Sequence, residues 1–322
     1  MSVDVVLIGR NEGDRLVRSL SSVVPQARRV VYVDSGSTDD SVRNAEKVGA
    51  LVVNLDMSLP FTAARARNAG FEMLMAQKDP PEYVQFLDGD CVMSDGWLQH
   101  AAKVMRDDPK LAIVTGLSAE LHRDTTVFNQ MSDFEWKRPA GPIEACSGNM
   151  MVRVSAFQQV GGFNPEVIAA EDDEFCTRLR KAGWSLVRIE HPMSQHDGGA
   201  VRFTQWWKRA ERTGHGFAQV GHIHPEYFVR ERQRGWVYGL ILPAVAVIGA
   251  LTWPILLLLV LAVYAASFWK TARGLKSEDV AANEAPRHAA FLTLSKVPNA
   301  IGMIRYHWRR FSHAQMRIIE YK

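Results

Sequence analysis

Short apolar runs alternate with segments of helical periodicity along the first third of the chain. The runs are rich in β-branched residues, have strand length and end in turns. Between them, apolar residues recur three or four positions apart, as Leu16, Leu20 and Val23 do, which predicts helices. Strands alternating with helices predict a parallel sheet with right-handed crossovers. The predicted strands are 3–8, 30–33, 51–54, 83–87 and 112–115, and the predicted helices are 40–48, 61–77 and one after Trp97.

The pattern is weaker in the middle of the chain. Residues 116–145 have no clear period and contain Pro139, Gly141 and Pro142, which predicts a long irregular loop, a feature typical of a functional lid. The elements predicted after this loop are a strand at 150–152, a helix at 171–181, a strand at 186–189 and a further loop that carries His196.

A long uncharged stretch runs from Gly235 to Trp269. A single helix of that length would exceed the hydrocarbon core of a bilayer, which is about 30 Å thick. A turn at 249–254, with Pro254 opening the second arm, predicts two helices of about 15 to 17 residues each. Basic residues flank both ends, which favours a hairpin with both ends in the cytoplasm. We therefore expect an integral protein at the cytoplasmic face of the inner (plasma) membrane. A re-entrant hairpin and a buried hairpin of a soluble protein are the alternatives.

The end of the chain mixes apolar residues such as Ile301 and Trp308 with arginines such as Arg305 and Arg310. This mixture is typical of a basic amphipathic helix, which either lies on anionic lipid or packs under the rest of the protein. The predicted domains are an α/β catalytic domain at 1–225, a membrane hairpin at 226–275 and this tail at 276–322.

The charge and cysteine content of the chain bear on its binding partner and on its redox compartment. Lysine and arginine total 38 against 35 acidic residues among 322, so the chain is only mildly basic and a nucleic-acid partner is not expected. The cysteines, Cys91, Cys146 and Cys176, are widely spaced and odd in number. They form neither a disulfide framework nor a zinc pattern, which is typical of a reducing compartment.

The strongest chemical signal is Asp88-Gly89-Asp90, which follows the predicted strand 83–87. Alternate residues of an extended chain point to the same side, so the two carboxylates converge, and the glycine lets the backbone turn. Crowded carboxylates repel each other unless a cation lies between them. Mg²⁺ or Mn²⁺ fits, with diphosphate oxygens completing the shell. A polar turn in which one aspartate caps the next helix is the alternative.

Polar residues follow several of the predicted strands. Asn11, Asp34 and Asp88 each lie just past a strand end, and ligands of parallel sheets bind at that edge. No dinucleotide-binding G-x-G-x-x-G follows the first strand and no P-loop motif occurs, so a dehydrogenase or P-loop ATPase is not expected. Phosphate would instead be held by the metal and by an arginine, for which Arg67 is the best candidate.

A second acidic cluster, Glu171 to Glu174, opens the predicted helix 171–181. The helix dipole favours acidic residues in a first turn and explains part of the cluster. Four adjacent carboxylates exceed what that effect requires. One of them, held near a substrate hydroxyl, would serve as a general base.

Taken in order, these motifs resemble the family 2 glycosyltransferases, over about residues 3–215. The resemblance implies the GT-A nucleotide-diphospho-sugar transferase fold, an α/β fold with a mostly parallel central sheet flanked by helices, here with the hydrophobic hairpin and amphipathic tail appended. The matching segments are Gly9-Arg10-Asn11-Glu12, Asp34-Ser35-Gly36-Ser37-Thr38-Asp39, Ala66-Arg67-Asn68-Ala69-Gly70, Asp88-Gly89-Asp90, Gly161-Gly162-Phe163 and Glu171-Asp172.

The resemblance also implies an activity and a set of roles. Inverting transfer from a nucleotide sugar is expected, with Asp172 as catalytic base and Asp34 at the nucleobase, where a carboxylate slightly favours a UDP-sugar. Gln205-Trp206-Trp207-Lys208-Arg209 departs from the Gln-x-x-Arg-Trp of processive relatives, so one sugar per binding event is expected. The implied sets are Asn11, Glu12, Asp34, Arg67, Asp88 and Gly89 for the donor, Asp88, Asp90 and His196 for a divalent Mn or Mg ion, and Asn149, Glu171, Trp206 and Trp207 for the acceptor side.

We call the ligand-binding edge at Asn11, Asp34 and Asp88 the crevice. Because the hairpin would put this crevice beside a bilayer, a lipid-linked or saccharide acceptor is expected, in surface polysaccharide or glycolipid synthesis. Two other classes remain. A sugar-phosphate nucleotidyltransferase shares this sheet and metal chemistry but needs a glycine-rich, arginine-containing loop after the first strand, which Gly9-Arg10-Asn11-Glu12 does not supply. A catalytically silent, nucleotide-binding membrane scaffold would not need Asp88, Asp90 and Asp172 intact.

Overall fold

The computed structural model describes residues 3–198, 201–278 and 280–320. These residues form two compact units. The first contains 3–123 and 135–198, and the second contains 124–134, 201–278 and 280–320. The units divide the chain near residue 200, and the functional division predicted at residues 225 and 275 stays a prediction.

The first unit is built on a nine-stranded sheet with the strand order β3-β2-β1-β4-β8-β6-β9-β5, in which β7 pairs with β9. The strands are β1 (Val3–Gly9), β2 (Val30–Asp34), β3 (Leu51–Asn54), β4 (Tyr83–Asp88), β5 (Cys91–Met93), β6 (Leu111–Glu120), β7 (Gly141–Pro142), β8 (Met150–Arg153) and β9 (Ser185–His196). The helices up to this point in the chain are α1 (Asp14–Val23), α2 (Ser41–Lys47), α3 (Ala63–Met75), α4 (Trp97–Asp107), α5 (Val127–Trp136), α6 (Val154–Gln159) and α7 (Glu171–Lys181).

The central strands are buried on both faces because helices cover both. In β1, Val6 belongs to one core cluster, while Val5 and Leu7 belong to the other. In β4, Phe86 and Leu87 divide in the same way. Near-continuous apolar runs are typical of parallel strands covered on both faces. The predicted α/β class and the five predicted strands of the first third are confirmed.

Parallel pairing brings two of the predicted acidic residues to one edge. β1 pairs in parallel with β2 and with β4, and the register sets Gly9 beside Asp34 and Ile8 beside Asp88. The chain therefore leaves the sheet at neighbouring points at the carboxyl ends of three strands. Antiparallel pairs with β8 begin on the other side of β4.

The prediction of a long irregular loop at 116–145 is wrong. β6 continues to Glu120 in parallel pairing with β9, and α5 follows after a short 3₁₀ turn. Two effects hid these elements. The register of β6 shifts around Leu117, after which residues 117–119 are only partly buried and lose the apolar signal. In α5, the polar Asn129 is buried beside Phe128 and Met131, which blurs the helical period.

His196 also lies differently from its prediction. It is the last residue of β9 and not part of a loop. The strand was predicted to end at residue 189 because the polar residues that follow interrupt its apolar run. Pairing with β5 and with the end of β6 carries the strand on.

The second unit is helical. Its long elements are α8 (Phe203–Ile223), α9 (Val229–Trp236), α10 (Leu242–Leu251), α11 (Pro254–Ser277), α12 (Ala285–Leu294) and α13 (Lys296–Phe311), with a π-helical turn joining α9 to α10. Val229–Leu251 and Pro254–Ser277 are long and apolar enough to cross a membrane, with mean hydropathies of 1.6 and 1.9. They have 23 and 24 residues, longer than the predicted arms, because both continue into the basic flanks.

The two predicted helices of the hairpin are thus present. Only 17% and 11% of their most apolar windows are buried within the protein, which argues against a buried hairpin of a soluble core. A helix of this length and composition is by itself weak evidence for a membrane. The place of the hairpin in the cell is therefore part of the proposal below.

α13 packs closely along α8. A methyl group on Gly302 would lie 1.9 Å from the carbonyl oxygen of Glu211, and one on Gly214 would lie 2.1 Å from that of Asn299. The two glycines therefore allow the backbones to approach where a side chain would not fit. A salt bridge between Arg305 and Glu211, 2.9 Å long, borders this contact. One face of the predicted amphipathic tail thus packs against α8 within the second unit.

Candidate active site

The turn after β1 is joined to the turn after β2. Asn11 adopts a left-handed conformation with φ of 54°, a region that asparagine tolerates better than most residues. Its side-chain oxygen accepts a hydrogen bond from the Thr38 N–H at 2.7 Å, and its own N–H donates to Ser37 Oγ at 2.9 Å. Glu12, next to it, pairs with Arg15 at 2.9 Å. Asn11 therefore fixes the relative position of two loops at the mouth of the crevice.

Asp34 is 4% exposed and caps its own turn. One carboxylate oxygen accepts hydrogen bonds from the N–H groups of Gly36 and Ser37, at 2.9 and 2.8 Å, and the other accepts from the Tyr32 hydroxyl at 3.1 Å. Burial, and then the charge of Asp34, raise the pKa of Tyr32 well above its usual range. A nucleobase that bound Asp34 would therefore contact a carboxylate that already accepts hydrogen bonds from its own turn.

Gly89 lets two strand ends meet. Its N–H donates to the carbonyl oxygen of Ile8 at 2.8 Å. A methyl group at this position would lie 3.1 Å from that oxygen and 3.4 Å from the side chain of Glu12. The predicted turn after Asp88 is therefore present, and a side chain in place of its glycine would fit only tightly against the end of β1.

Arg67 is the central cation of the crevice and is 2% exposed. Its guanidinium donates to Asp88 Oδ1 at 2.8 Å and to Glu171 Oε1 at 2.7 Å. Burial opposes a charge here, but Asp88, Glu171 and Asp172 outweigh it and raise the pKa of Arg67 above its usual value. The arginine therefore ties the end of β4 to the first turn of α7.

The segment before β8 is shaped around this arginine. A methyl group on Gly148 would lie 1.9 Å from Arg67 Nη2, so the guanidinium passes directly over the glycine. Asn149 is 6% exposed, and its side-chain oxygen accepts the Asp88 N–H at 2.9 Å while its amide donates to Cys91 Sγ at 3.1 Å. In this arrangement Asn149 orients the backbone of Asp88, and an acceptor-side role for it stays a prediction.

Asp172 lies in the first turn of α7, which begins after Ala170 in a left-handed conformation. Its neighbour Glu171 is 6% exposed and bound to Arg67. Asp172 is half-buried and, among the described residues, accepts a hydrogen bond from the Asp173 N–H at 3.0 Å. Burial, followed by the charges of Glu171 and Asp173, raises the pKa of Asp172 well above its usual range, against the opposing charge of Arg67. A carboxylate with raised proton affinity suits a general base.

Asp90 and His196 are brought together by the pairing of β5 with β9. The register sets Cys91 opposite His196, and Asp90 Oδ1 lies 2.9 Å from His196 Nε2. Ligand atoms of Asp90, Cys91 and His196 lie within 4.8 Å of one another. The Cys91 thiol is already engaged by Asn149. The Asp90 carboxylate is a donor that suits Mg²⁺ or Mn²⁺, and the His196 imidazole is a ligand of transition-metal ions, so the pair fits a divalent cation. Asp88, predicted to converge on the same ion, is bound to Arg67 and is not part of this cluster.

Sequence reasoning missed two residues beside this cluster. The ring of Trp136 lies 4.3 Å from that of His196, centroid to centroid. Glu120 is 5% exposed and accepts hydrogen bonds from the N–H groups of His122 and Gly198, which flank the strand ends at His196. Both lie in the stretch that was predicted to be irregular. The one available signal was a tryptophan followed by two basic residues.

Trp206 and Trp207 belong to the second unit. Trp206 is 7% exposed and packs against Phe128 and Phe291, with ring centroids 5.9 and 5.1 Å away. Trp207 is half-buried beside Phe203. Trp206 thus has the packing role typical of an aromatic residue on a helix, and an acceptor-side role for the pair stays a prediction.

Fold and site together define a class of protein. A parallel β-sheet edge that gathers Asp34, Asp88 and Asp90, with a carboxylate-rich helix start opposite them, is the arrangement of a GT-A-type glycosyltransferase. The chain belongs to the family 2 glycosyltransferases. The family model described as glycosyl transferase family 2 matches residues 4–161, and that described as glycosyl transferase family group 2 matches residues 83–272.

Named relatives agree with this assignment. Glycosyltransferase AglE of Haloferax volcanii is 25% identical over 234 residues, which are 68% of this chain and 73% of AglE. A pre-mycofactocin glycosyltransferase of Mycobacterium tuberculosis is 27% identical over 237 residues, 70% of this chain but 48% of the relative, so the chain spans about half of that protein.

Among solved structures, the mannosyltransferase PcManGT from Pyrobaculum calidifontis, in complex with GDP-Man and Mn²⁺, has a TM-score of 0.61 at 17% identity. The similarity covers 96% of this chain and 88% of PcManGT. A fragment of Staphylococcus aureus TarS has a TM-score of 0.51 at 15% identity, over 97% and 92% of the two chains. At these identities the likeness concerns the fold alone.

Replacement of Arg67 by lysine is expected to destabilise the protein by about 3 kcal/mol, because an ammonium cannot donate to both carboxylates and leaves a buried charge unpaired. Chemical denaturation of the detergent-solubilised protein, followed by tryptophan fluorescence, measures the free energy of unfolding. Arg65→Lys, in the same helix, is the matched control. The Arg65 guanidinium donates to the backbone carbonyls of Asp56, Leu59 and Pro60, and the change should cost about 1 kcal/mol or less. Equal losses for the two variants would contradict the bridging role.

Proposed function

We propose that the protein is an inverting, metal-dependent glycosyltransferase that moves one sugar from a nucleotide sugar to an acceptor hydroxyl. The observation that carries the proposal is the contact of Arg67 with both Asp88 and Glu171. It holds the proposed leaving-group end of the crevice at a fixed distance from Asp172, the proposed base. Sugar transfer needs a fixed distance between the group that holds the leaving diphosphate and the base that takes the acceptor proton. A protein that only binds a nucleotide does not need that distance.

Asp88, Asp90 and His196 are the residues that would hold a divalent cation. Such an ion, when bound, neutralises negative charge on the diphosphate of the donor. The complex of PcManGT with GDP-Man and Mn²⁺ supports this choice of donor class and ion. The position of Asp34 favours a UDP-sugar slightly, so UDP- and GDP-sugars are the donors to compare. Because Arg67 is buried behind Asp88, we propose that it acts through that carboxylate and not on phosphate directly.

The proton chemistry is proposed for Asp172. Its carboxylate would take the proton from the acceptor hydroxyl while the hydroxyl oxygen attacks the anomeric carbon, and the bond from that carbon to the diphosphate oxygen would break. The nucleoside diphosphate leaves with the bonding electron pair, and the anomeric configuration inverts. No covalent enzyme intermediate is needed. Glu171 would keep Asp172 from pairing with Arg67, since it occupies one side of that guanidinium.

The acceptor is proposed to be lipid-linked or a saccharide at the membrane, at the cytoplasmic face of the inner (plasma) membrane. Two apolar helices joined at Thr252 and Trp253, with basic residues in the outer turns of each, support attachment through the hairpin. Nucleotide sugars would reach the crevice from the cytoplasm. This assignment places the reaction in surface polysaccharide or glycolipid synthesis.

Asp172→Asn should reduce release of nucleoside diphosphate from a panel of UDP- and GDP-sugars by about 10² to 10⁴-fold, because the amide cannot accept the proton. The assay uses the full chain in detergent with extracted membrane lipid as the source of acceptor. Donor binding, followed by thermal stabilisation, should be retained. Asp173→Asn is the matched control and should keep most of the activity. Wild-type turnover in Asp172→Asn would contradict the role of Asp172 as the base. A parallel loss of donor binding would indicate that Asp172 binds the donor.

The raised pKa of Asp172 gives a second expectation. In the folded protein this carboxyl holds its proton more tightly than in the unfolded chain. Its contribution to stability is therefore present below the unfolded pKa and is lost as pH rises through the folded pKa. Asp172→Asn, which mimics the neutral carboxyl, should be more stable than wild type at neutral pH and similar to it in acid. The free energy of unfolding across pH measures this, and a difference that does not change with pH would contradict it.

A further inference from the structure

The outer face of α13 is an exposed apolar stripe. Ile301, Ile304, Trp308 and Phe311 recur at steps of three and four residues, and they are 38%, 42%, 68% and 82% exposed. The opposite face of the helix is buried, with Met303 fully covered. Isolated exposed apolar residues are ordinary in proteins, but a continuous stripe that ends in two large aromatic rings marks an interaction surface. We call these four residues the outer stripe.

α13 lies at the base of the hairpin, where the uncharged run begins. Gly235 is the first residue of that run, and a methyl group on it would lie 2.5 Å from Met303 Cε. One on Gly239 would lie 1.9 Å from the carbonyl oxygen of Lys296. The ring of Trp236 stacks on His307 with centroids 6.0 Å apart. α13, and the outer stripe with it, therefore lies next to the residues at which a membrane-spanning hairpin would enter the bilayer.

The second arm of the hairpin, α11, also has its boundary between uncharged and charged residues at this end of the hairpin. The Tyr264 hydroxyl donates to the carbonyl oxygen of Tyr238, so the arms run antiparallel with these residues side by side. The uncharged run ends on this arm at Trp269, which is followed by Lys270. Trp269, Lys270 and Arg273 line an open groove of about 610 Å³. Tryptophan with basic residues is typical of the boundary between hydrocarbon and headgroups.

Charge indicates what covers the stripe. α13 has no acidic residue, and Arg305, Arg309 and Arg310 lie in its last two turns. Arg305 and Arg309, one turn apart, border one side of the outer stripe, and Arg305 is paired with Glu211. Arg310 is exposed but lies on the opposite side of the helix. An apolar face bordered by arginines fits the anionic leaflet of a bilayer, since acyl chains receive the rings and lipid phosphates receive the cations.

We propose that α13 is an interfacial helix whose outer stripe inserts into the anionic cytoplasmic leaflet, and that lipid phosphates occupy the groove beside Lys270 and Arg273. This inference rests on the membrane attachment proposed above and adds a second contact to the hairpin. The contact would hold the second unit at a fixed depth and orientation in the leaflet.

Nitroxide labels introduced one at a time on the full-length chain test the proposal in phosphatidylcholine nanodiscs with and without phosphatidylglycerol. The labelled variants are Trp308→Cys on the outer stripe, Glu46→Cys on the exposed face of α2, and Leu258→Cys in the second turn of α11. All three native side chains are exposed, so labelling should not disturb the fold. The native cysteines are buried and should not react. Collision with a water-soluble nickel complex is measured by electron paramagnetic resonance.

The label at position 308 is expected to lose its collisions with the nickel complex while gaining collisions with oxygen, and the loss should be larger when phosphatidylglycerol is present. The label at position 46 should stay accessible, and the one at 258 should be shielded. Shielding at 258 with full accessibility at 308 would overturn the interfacial helix alone. Accessibility at both would overturn the membrane attachment on which it rests. Equal shielding at 308 in both lipid mixtures would overturn the role of anionic lipid.

Discussion

The buried guanidinium of Arg67 is the interaction on which the crevice depends. A charged group at 2% exposure is costly unless it is paired and hydrogen-bonded, and here two carboxylates from distant parts of the chain supply the pairing. Gly148 provides the space for it, and Asn149 fixes the backbone of one of its partners. Removing the arginine or either carboxylate would leave a charge without its counterpart in a low-dielectric setting.

The same network leaves an excess of negative charge. Asp88, Glu171 and Asp172 surround one arginine, and Asp90 adds a further carboxylate at the neighbouring strand end. A donor diphosphate would bring still more negative charge into this region. A divalent cation therefore has an electrostatic reason to bind, beyond the presence of suitable ligand atoms. The network also separates the roles of two adjacent residues: Glu171 is committed to Arg67, which leaves Asp172 half-buried with a raised pKa and suited to accept a proton.

Elements that depend on local sequence pattern could be predicted from the sequence, whereas elements that depend on pairing between distant strands could not. β1, β2 and β4 are rich in β-branched, aromatic and other apolar residues, and α7 opens with four acidic residues, so local pattern was sufficient to predict them. The extension of β6 and β9 was not predictable in this way, because it depends on pairing between strands across a register shift. The contact of Trp136 with His196 follows from that pairing and was missed with it. Asp90 and His196 were linked by family resemblance, whereas Arg67 was expected to bind phosphate and in the structure binds two carboxylates.

Calorimetric binding of UDP and GDP, with and without Mn²⁺, to the wild-type protein and to Asp90→Asn tests the central claim most directly. If the acidic crevice requires a cation before a diphosphate can enter, one of the nucleotides should bind wild type only when Mn²⁺ is present, and Asp90→Asn should lose this binding. Binding of equal strength without the metal, or unchanged binding in Asp90→Asn, would contradict the account.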